Sequence, residues 1–566
     1  MTFFRLPHRR KTMFVPVPAP EEMSRWDAAA ISSGISEETL MENAARAAMD
    51  SLRAHAAEKG VAVAGSSVLL LAGGGNNGGD AFCMARHLLD AGARPVLICT
   101  REEEQYCGAA AHWLRTAINL GVPVFSAEAW EKSEADVPPK PDIVVDGLLG
   151  TGFHGTLRDK ERKLVEKLNS LEAALVFAID IPSGLSASTG HPSPTAVRAH
   201  VTVTFQAAKP GLLLPDAQDF TGILEVRPIG MPRRIQEENP PAFRTWLTTT
   251  PRNFDRGAPY VLSHGISPRI EALFNSPSAP SSRGPSHKGA AGRVLVAGGC
   301  SAYTGAPCLA AWASLRAGAG LVTLAGPKNV LDAAGLSMPA LTLRALSGKA
   351  PDGDWCAEDA EALCEVLPTY GALVFGPGLG RSRGAFDFAR ALMCLPDRPP
   401  MVIDADALFA LAREPELLSQ LRPCDVLTPH PGEAATLLGM SARDVQADRF
   451  AALASLASLA PAVWILKGEG TLIACPGEPS VISPWQVPQL AVAGSGDVLA
   501  GIIGAMLARR HKASLAATLG VWLHALAGMR LSRDFPMRGN GPHDIANILP
   551  AVLGLAGDPG ESCPSF

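Results

Sequence analysis

The chain has 566 residues, 47% of them apolar and 19% charged, and its 50 basic and 55 acidic side chains leave a formal charge of −5. That composition excludes a disordered chain, which lacks the apolar surface to form a core, and it offers no basic face for nucleic acid. At roughly 150 residues per domain, the length implies about two to four domains.

The N-terminus (Arg5, His8, Arg9, Arg10, Lys11) is basic, but Met13 to Pro20 carries three prolines and no apolar core, which is not a secretory signal. The expectation is a short disordered extension, with Met13 a second candidate start. The longest apolar run, Val498 to Ala508, stops at Arg509 after 11 residues, whereas a membrane span needs about 20. Eleven cysteines without a CxxC pair fit a reducing cytoplasm rather than a disulfide scaffold or zinc site.

From residue 20 to 235, short apolar runs alternate with helical stretches. Val68–Ala72, Pro95–Cys99, Ile143–Val145, Leu175–Ile179 and Val201–Phe205 read as strands buried on both faces, hence a parallel sheet covered by helices such as Asp80–Ala91 and Arg158–Ser170. Residues 236–285 are rich in proline and read as a connecting region. Alternation resumes over 286–555, with strands expected at Val294–Ala297, Leu321–Leu324, Ala372–Phe375, Met401–Ile403, Val426–Thr428 and Val463–Leu466 and an apolar helix at Asp497–Ala508. Two α/β domains are expected.

Within the first, LLLAGGGNNGGD (69–80) reads as a strand, a Gly-rich turn and a helix start. Small residues let backbone N–H groups approach an anion at a helix N-terminus, although the run is not a GxGxxG fingerprint in register. Asn76, Asn77 and Asp80 add oxygens able to hold a cation or a ribose. IVVDGLLGTG (143–152) and FAIDIPSG (177–184) end strands at the same sheet edge, where ligands bind in open α/β sheets. Each aspartate alone is as often a cap or turn residue; jointly Asn77, Asp146, Asp180 and Ser183 read as one site.

GGGNNGGD, DGLLGTGFHG, AIDIPSGL and LMENAARA together resemble the NAD(P)H-hydrate epimerase family, over about residues 20–230. The resemblance implies a Rossmann-like three-layer fold with K⁺ beside the substrate. Carried over by motif, Asn77, Asp146 and Ser183 would hold K⁺, and such an oxygen-only set suits a hard cation. Asn76, Asn77, Gly78, Gly79, Asp80, Gly150, Thr151, Gly152, Phe153, His154, Gly155, Thr156 and Asp180 would contact the hydrated nicotinamide nucleotide. Asp180 is the expected proton-transfer residue, assisting loss and return of water. Ala45 and Ala81 stand where the family usually has glycine, and the Ala81 methyl is expected to crowd the helix start.

In the second half, AGSGD (493–497) opens the apolar helix. Gly494, Ser495 and Gly496 would present backbone N–H groups to an anion, and Asp497 could deprotonate a hydroxyl that attacks a phosphoryl group. A GSGD tetrapeptide alone more often simply caps a helix, but GPGLG (376–380), DADAL (404–408), LTPHPGE (427–433) and LKGEGT (466–471) end strands upstream. His430 reads as a substrate contact and Lys467 as a phosphate-neutralising group. With HKGAAGRVLVAGGCSAYTGA (287–306), these segments resemble the ribokinase-like, ADP-dependent NAD(P)H-hydrate dehydratase family, over about residues 285–550. That resemblance implies nucleotide at Lys467, Gly468, Glu469, Gly470, Thr471 and Gly496, and hydrated nicotinamide nucleotide near Ala319, Gly378, His430 and Asp497. ADP with Mg²⁺ is the implied phosphoryl donor.

The two resemblances imply one bifunctional repair enzyme for hydrated NADH and NADPH: epimerisation of R and S forms, then ADP-dependent dehydration of S. The alternative is a small-molecule kinase joined to a non-catalytic Rossmann-like binding module, since fold does not determine function. Neither nucleic acid nor membrane is an expected partner, and a homo-oligomer is left open.

Overall fold

The computed structural model describes residues 14–246, 260–262, 291–350 and 353–557. Two compact units divide the chain between Pro268 and Arg269. The motif residues His287 to Gly289 lie outside the described residues.

The first unit contains β1 (Phe14–Val17), β2 (Ser67–Ala72), β3 (Arg94–Cys99), β4 (Val124–Ser126), β5 (Ile143–Gly147), β6 (Leu175–Ile179), β7 (Val201–Phe205), β8 (Ile223–Arg227), β9 (Phe243–Trp246) and β10 (Tyr260–Leu262). Eight of them form a sheet in the order β10-β8-β7-β6-β5-β2-β3-β4, with every pairing parallel. Its strands alternate between two cores. Val68, Leu70 and Ala72 face one, with Leu52 and Phe82, while Leu69 and Leu71 face the other, with Leu164 and Leu168. Burial on both faces explains the unbroken apolar runs. Strand order reverses between β2 and β5, so the loops leaving them part there and open a crevice at the strands' carboxyl ends.

Helices α1 (Pro20–Ser32), α2 (Glu37–Glu58) and α3 (Asn76–Asp90) border that crevice. Helix α3 starts four residues before the expected Asp80, so Gly78 and Gly79 belong to its first turns and not to a loop. A Cβ on Gly78 would lie 1.9 Å from the Gly73 carbonyl oxygen, and only glycine permits this approach of helix to strand end. The Ala81 methyl does not crowd the helix start: it packs over Gly147, whose own missing Cβ would lie 2.8 Å from it.

Phe14 to Ala19, expected to belong to a disordered extension, is partly ordered. β1 pairs antiparallel with β9, Phe14 opposite Trp246 and Val17 opposite Phe243. The stretch read as connecting therefore carries ordered pairing at both β9 and β10, and the first unit extends beyond residue 235. Trp26 Nε1 donates to the Asn239 carbonyl at 2.9 Å, and Glu22 Oε1 accepts from the Ala242 amide at 3.0 Å, tying α1 to this segment.

The second unit contains β11 (Arg293–Ala297), β12 (Leu321–Gly326), β13 (Thr342–Ala345), β14 (Ala372–Phe375), β15 (Met401–Ile403), β16 (Val426–Leu427), β17 (Val463–Leu466), β18 (Leu472–Cys475) and β19 (Glu478–Ile482). Their order is β19-β18-β17-β16-β15-β14-β11-β12-β13, parallel except for the antiparallel pairings of β18 with β17 and β19. Helix α4 (Ser495–Ala508) is buried almost throughout, as its all-round apolar sequence requires. No helix among the described residues is long and apolar enough to cross a membrane.

Candidate functional site

Two separate groups of functional side chains form, one per unit. In the first, a cavity of about 1410 Å³ is lined by Asn76, Asn77, Asp80, Asp180, Gly150, Thr151, Gly152, Phe153, His154 and Thr156. These come from the first turns of α3 and from the loops after β5 and β6. Gly78, Gly79 and Gly155 do not line it: Gly78 abuts the Gly73 backbone, a Cβ on Gly79 would meet the Met41 sulfur at 2.6 Å, and Gly155 (φ +82°) shapes the turn. For Gly78 and Gly79 the glycine requirement is one of packing.

Asn77, on the cavity wall, and Asp146 and Ser183, which do not line it, are joined through hydrogen bonds. Asp146 Oδ1 accepts from Ser183 Oγ at 2.6 Å and Oδ2 accepts from the Ser183 amide at 2.7 Å. The Leu149 amide donates to Ser183 Oγ at 2.8 Å, and Asn77 Nδ2 donates to the Leu149 carbonyl at 2.8 Å. Asp146 and Ser183 are fully buried, and burial pushes the Asp146 carboxyl up to about 6 despite its Ser183 and Leu148 hydrogen bonds. Asn77 Oδ1 is buried without a hydrogen-bond partner. An orphaned acceptor beside a buried carboxylate is a costly arrangement that a bound cation would relieve.

Asp180 has φ +61°, a left-handed conformation that non-glycine residues seldom hold outside sites that over-determine it. What holds it is Lys209, which lies 1% exposed. The Lys209 ammonium donates to Asp180 Oδ1 at 2.6 Å, Thr204 Oγ1 at 2.7 Å and the Phe205 carbonyl at 3.2 Å. All three of its N–H donors are thereby used. Thr204 Oγ1 lies 3.0 Å from the same carboxylate oxygen. Asp27 and Asp80 are the cavity carboxyls nearest this pair in electrostatic effect. Asp27 on α1 is pushed up to about 6 by burial, an effect that Lys209 opposes and Asp180 and Glu37 reinforce. Burial, with Asp180 and Asp27 nearby, holds Asp80 well above the usual carboxylate range. Lys209 and Asp27 escape sequence reading; the available signal was a single lysine within AAKPGLLL, an otherwise uncharged stretch (207–214).

In the second unit, the ends of β15, β16 and β17 meet the N-terminus of α4. Gly494 (φ +88°) caps α4 without a side-chain bond; the Ser495 amide donates to the Val492 carbonyl at 3.2 Å, so the Gly496 and Asp497 N–H groups are the ones the helix start offers a ligand. Asp497 stands in the first turn and is pushed up to about 8 by burial, with Asp404 reinforcing, Lys467 opposing and Glu433 reinforcing. Lys467 does not stand ready for phosphate alone. Its ammonium lies 2.6 Å from Asp404 Oδ1 and 3.8 Å from Glu433 Oε2, and these carboxylates more than offset the lowering that burial exerts on it. Thr428 Oγ1 donates to Asp404 Oδ1 at 2.7 Å. A Cβ on Gly496 would lie 3.3 Å from Lys467 Nζ and 3.8 Å from Asp404 Oδ2, so the glycine keeps the helix start close to the pair.

The remaining expected residues divide. Gly468 (φ +131°) and Gly470 (φ +64°) shape the turn from β17 to β18. Thr471 Oγ1 donates to the Gly468 carbonyl at 2.7 Å, and Arg449 Nη2 donates to the Leu466, Lys467 and Gly470 carbonyls. Glu469 is exposed. Ser495 Oγ is 3.1 Å from His524 Nε2, and burial pushes that imidazole down to about 4, so it is neutral at pH 7. His430 caps the helix Pro431–Leu438, its Nδ1 accepting from the Gly432 and Glu433 amides at 3.0 and 3.3 Å. Gly378 (φ +61°) lies against Tyr303 beyond β14. Asp404 and Glu433 lie in the strand-end segments DADAL and LTPHPGE but were not singled out as site residues, and His524 carries no signal that separates it from a core residue of its apolar helix.

Ala319 falls outside this group. It is buried just before β12, at the amino end of the sheet. Its neighbour Gly318 accepts from Arg509 Nη2 at 2.9 Å, and Arg509 follows the last residue of α4. Asp497 stands in the first turn of that 14-residue helix, which is about 20 Å long at 1.5 Å per residue.

Residues 37–211 match the family described as YjeF-related protein N-terminus, and residues 294–551 match NAD(P)H-hydrate dehydratase. Similar curated proteins include the bifunctional NAD(P)H-hydrate repair enzyme of Moorella thermoacetica, 35% identical over 518 residues, or 91% of this chain and 92% of that one. Its Escherichia coli K12 counterpart is 33% identical over 478 residues, 84% of this chain and 83% of the relative. Among solved structures, the ADP/ATP-dependent NAD(P)H-hydrate dehydratase of Bacillus subtilis, co-crystallised with ATP/Mg²⁺, is 25% identical; the match covers 51% of this chain and 97% of that one, with a TM-score of 0.42.

Removing one partner of a buried ion pair costs about 3–5 kcal/mol, because the other charge stays buried. Lys209→Met should therefore destabilise the first unit by about that much, and adding Asp180→Asn should recover part of the loss. Urea denaturation of the two single variants and the double variant measures the coupling.

Proposed function

The chain belongs to the family of bifunctional NAD(P)H-hydrate repair enzymes, and we propose that each of its two units carries one activity of the pair. The first unit interconverts the R and S epimers of hydrated NADH and NADPH. The second dehydrates the S epimer with ADP, giving AMP, phosphate and the restored coenzyme. The observation that carries this reading is that each unit holds its own reactive carboxylate at the carboxyl ends of its parallel strands: Asp180 on Lys209 in one, Asp497 at the α4 N-terminus in the other.

In the first unit, Asp180 assists loss and return of water at the hydroxyl-bearing carbon, and Asn76, Asp80, Gly150 to His154 and Thr156 supply the cavity wall. Asn77, Asp146 and Ser183 fit K⁺: Asn77 Oδ1 lacks a partner, and Ser183 and Leu148 are the hydrogen-bond donors to Asp146. When bound, K⁺ supplies fixed positive charge beside the substrate.

In the second unit, Asp497 takes the proton of the substrate hydroxyl as that oxygen attacks the terminal phosphoryl group of ADP. AMP leaves, and elimination of phosphate then restores the double bond. Gly494 to Gly496 and the Lys467 to Thr471 turn would hold the nucleotide, with Gly378 and His430 on the substrate side. Mg²⁺ would come with the nucleotide phosphates. Among the described residues, the one group of three His, Cys, Asp or Glu side chains close enough to share a metal is Glu42, Cys83 and His87 in the first unit, where Arg86 already occupies Glu42.

Absorbance at 340 nm on a mixed-epimer preparation with ADP, Mg²⁺ and K⁺ tests the whole reading. Near-complete recovery, faster than spontaneous epimerisation, is expected. Asp180→Asn should recover only the S fraction at enzyme rate, and Asp497→Asn should slow dehydration by about 10²–10⁴-fold; failure with both ADP and ATP overturns the dehydratase assignment. Asp497 acts as a base only when ionised, so kcat/KM for the S epimer should rise with pH through about 8 and then level; a rate falling over that interval would contradict the base role. Exchange of K⁺ for Na⁺ should lower the melting temperature of the first unit and its epimerisation rate, and Asn77→Ala should abolish both responses.

A further inference from the structure

The first cavity holds more acid groups than the epimerase reading uses. Asp27, Asp80 and Asp180 line it together with Glu37, and Lys209 is the cation at their centre. Lys209 gives all its donors to Asp180, Thr204 and Phe205, so Asp180 is the one aspartate of the three that an ammonium holds directly. Asp27 has no side-chain hydrogen bond or ion pair among the described residues. It projects from α1 beside Met23 and Ile31 on the cavity wall. A carboxyl in that position is costly to ionise and stands ready to give a proton.

Resting on the epimerase reading of this unit, we propose that Asp27 is the second acid–base residue of the cavity, donating the proton that lets the substrate hydroxyl leave as water while Asp180 receives the proton of the water that returns. In the forward direction Asp27 protonates the departing hydroxyl. The C–O bond breaks with its electron pair on oxygen, and the ionised Asp180 faces the cationic carbon. Water adds to the opposite face, forms the new C–O bond and gives its extra proton to Asp180. Asp27 ends ionised and Asp180 protonated; proton exchange with solvent through the cavity restores the start, and the reverse epimerisation uses the same groups in exchanged roles. No oxidant or co-reactant is needed. Pairs of carboxyls whose surroundings push their protonation apart make such assignments. Here one is tied to an ammonium, and the other is raised to about 6 by burial and by Asp180 and Glu37 against the pull of Lys209. Asp80, also raised by burial, is less suited because it is buried at 8% exposure, whereas Asp27 is half-buried and more open to the cavity.

The test uses the full chain and purified R epimer, coupling epimerisation to the chain's own dehydration at 340 nm. Asp27→Asn should lower the epimerisation kcat by about 100-fold or more, with KM for the R epimer within about threefold. Dehydration of the S epimer should be unchanged. In the wild type, kcat should fall as pH rises above about 6, because the donor must be protonated; that limb should vanish in Asp27→Asn and in Asp27→Ser, which serves if the first variant does not fold. Unchanged kcat, a rise in KM alone, or a persisting limb overturns the proposal. If wild type fails to epimerise, the reading of the unit falls. If wild type epimerises and Asp180→Asn does not, while Asp27→Asn behaves as wild type, only the role of Asp27 falls.

Discussion

Each unit buries one lysine ammonium against one aspartate at 2.6 Å: Lys209 on Asp180 and Lys467 on Asp404. Burial of such a pair pays back its desolvation only with good geometry and further hydrogen bonds. Both pairs have them, from Thr204 in the first unit and Thr428 in the second. One ammonium stabilises one carboxylate in each site, and burial pushes neighbouring carboxyls toward their neutral forms, Asp27 to about 6 and Asp497 to about 8.

Parallel sheets make this arrangement possible. All strands of the first sheet run the same way, so their carboxyl ends emerge together, and the strand-order reversal between β2 and β5 opens a crevice among them. The second sheet places Asp404, His430 and Lys467 after three neighbouring parallel strands, β15, β16 and β17. The N-terminus of α4 meets those ends, bringing Asp497 into the electrostatic reach of Asp404 and Lys467. Small residues then permit the close approach: Gly496 keeps the helix start within reach of the Lys467–Asp404 pair, as Gly78 lets α3 reach the β2 loop.

The glycines also show why a motif residue is not automatically a ligand contact. GGGNNGGD reads as a phosphate-cradling loop, yet Gly78 and Gly79 lie inside α3 and serve packing, while Asn76, Asn77 and Asp80 face the cavity. Ala319 makes the converse point. The family resemblance placed it near the substrate, but parallel strands carry their two ends to opposite edges, and Ala319 stands at the amino end, with the far terminus of α4.

Local sequence by itself determined the two α/β halves, most inner strands, and the placement of Asp146, Asp180 and Ser183 at strand ends and Asp497 at a helix start, because buried parallel strands write continuous apolar runs and their carboxyl ends carry short Gly- and Asp-rich segments. β1 and β9 were not legible: each has four residues, β1 contains Pro16, and both exist through pairing across more than two hundred residues. Only the tertiary structure decided that Lys209 belongs to Asp180, that Asp27 faces the same cavity from α1, and that Lys467 is already paired with Asp404. The reason is that desolvation and Coulomb interaction depend on distance and burial in three dimensions, which no spacing along the chain records.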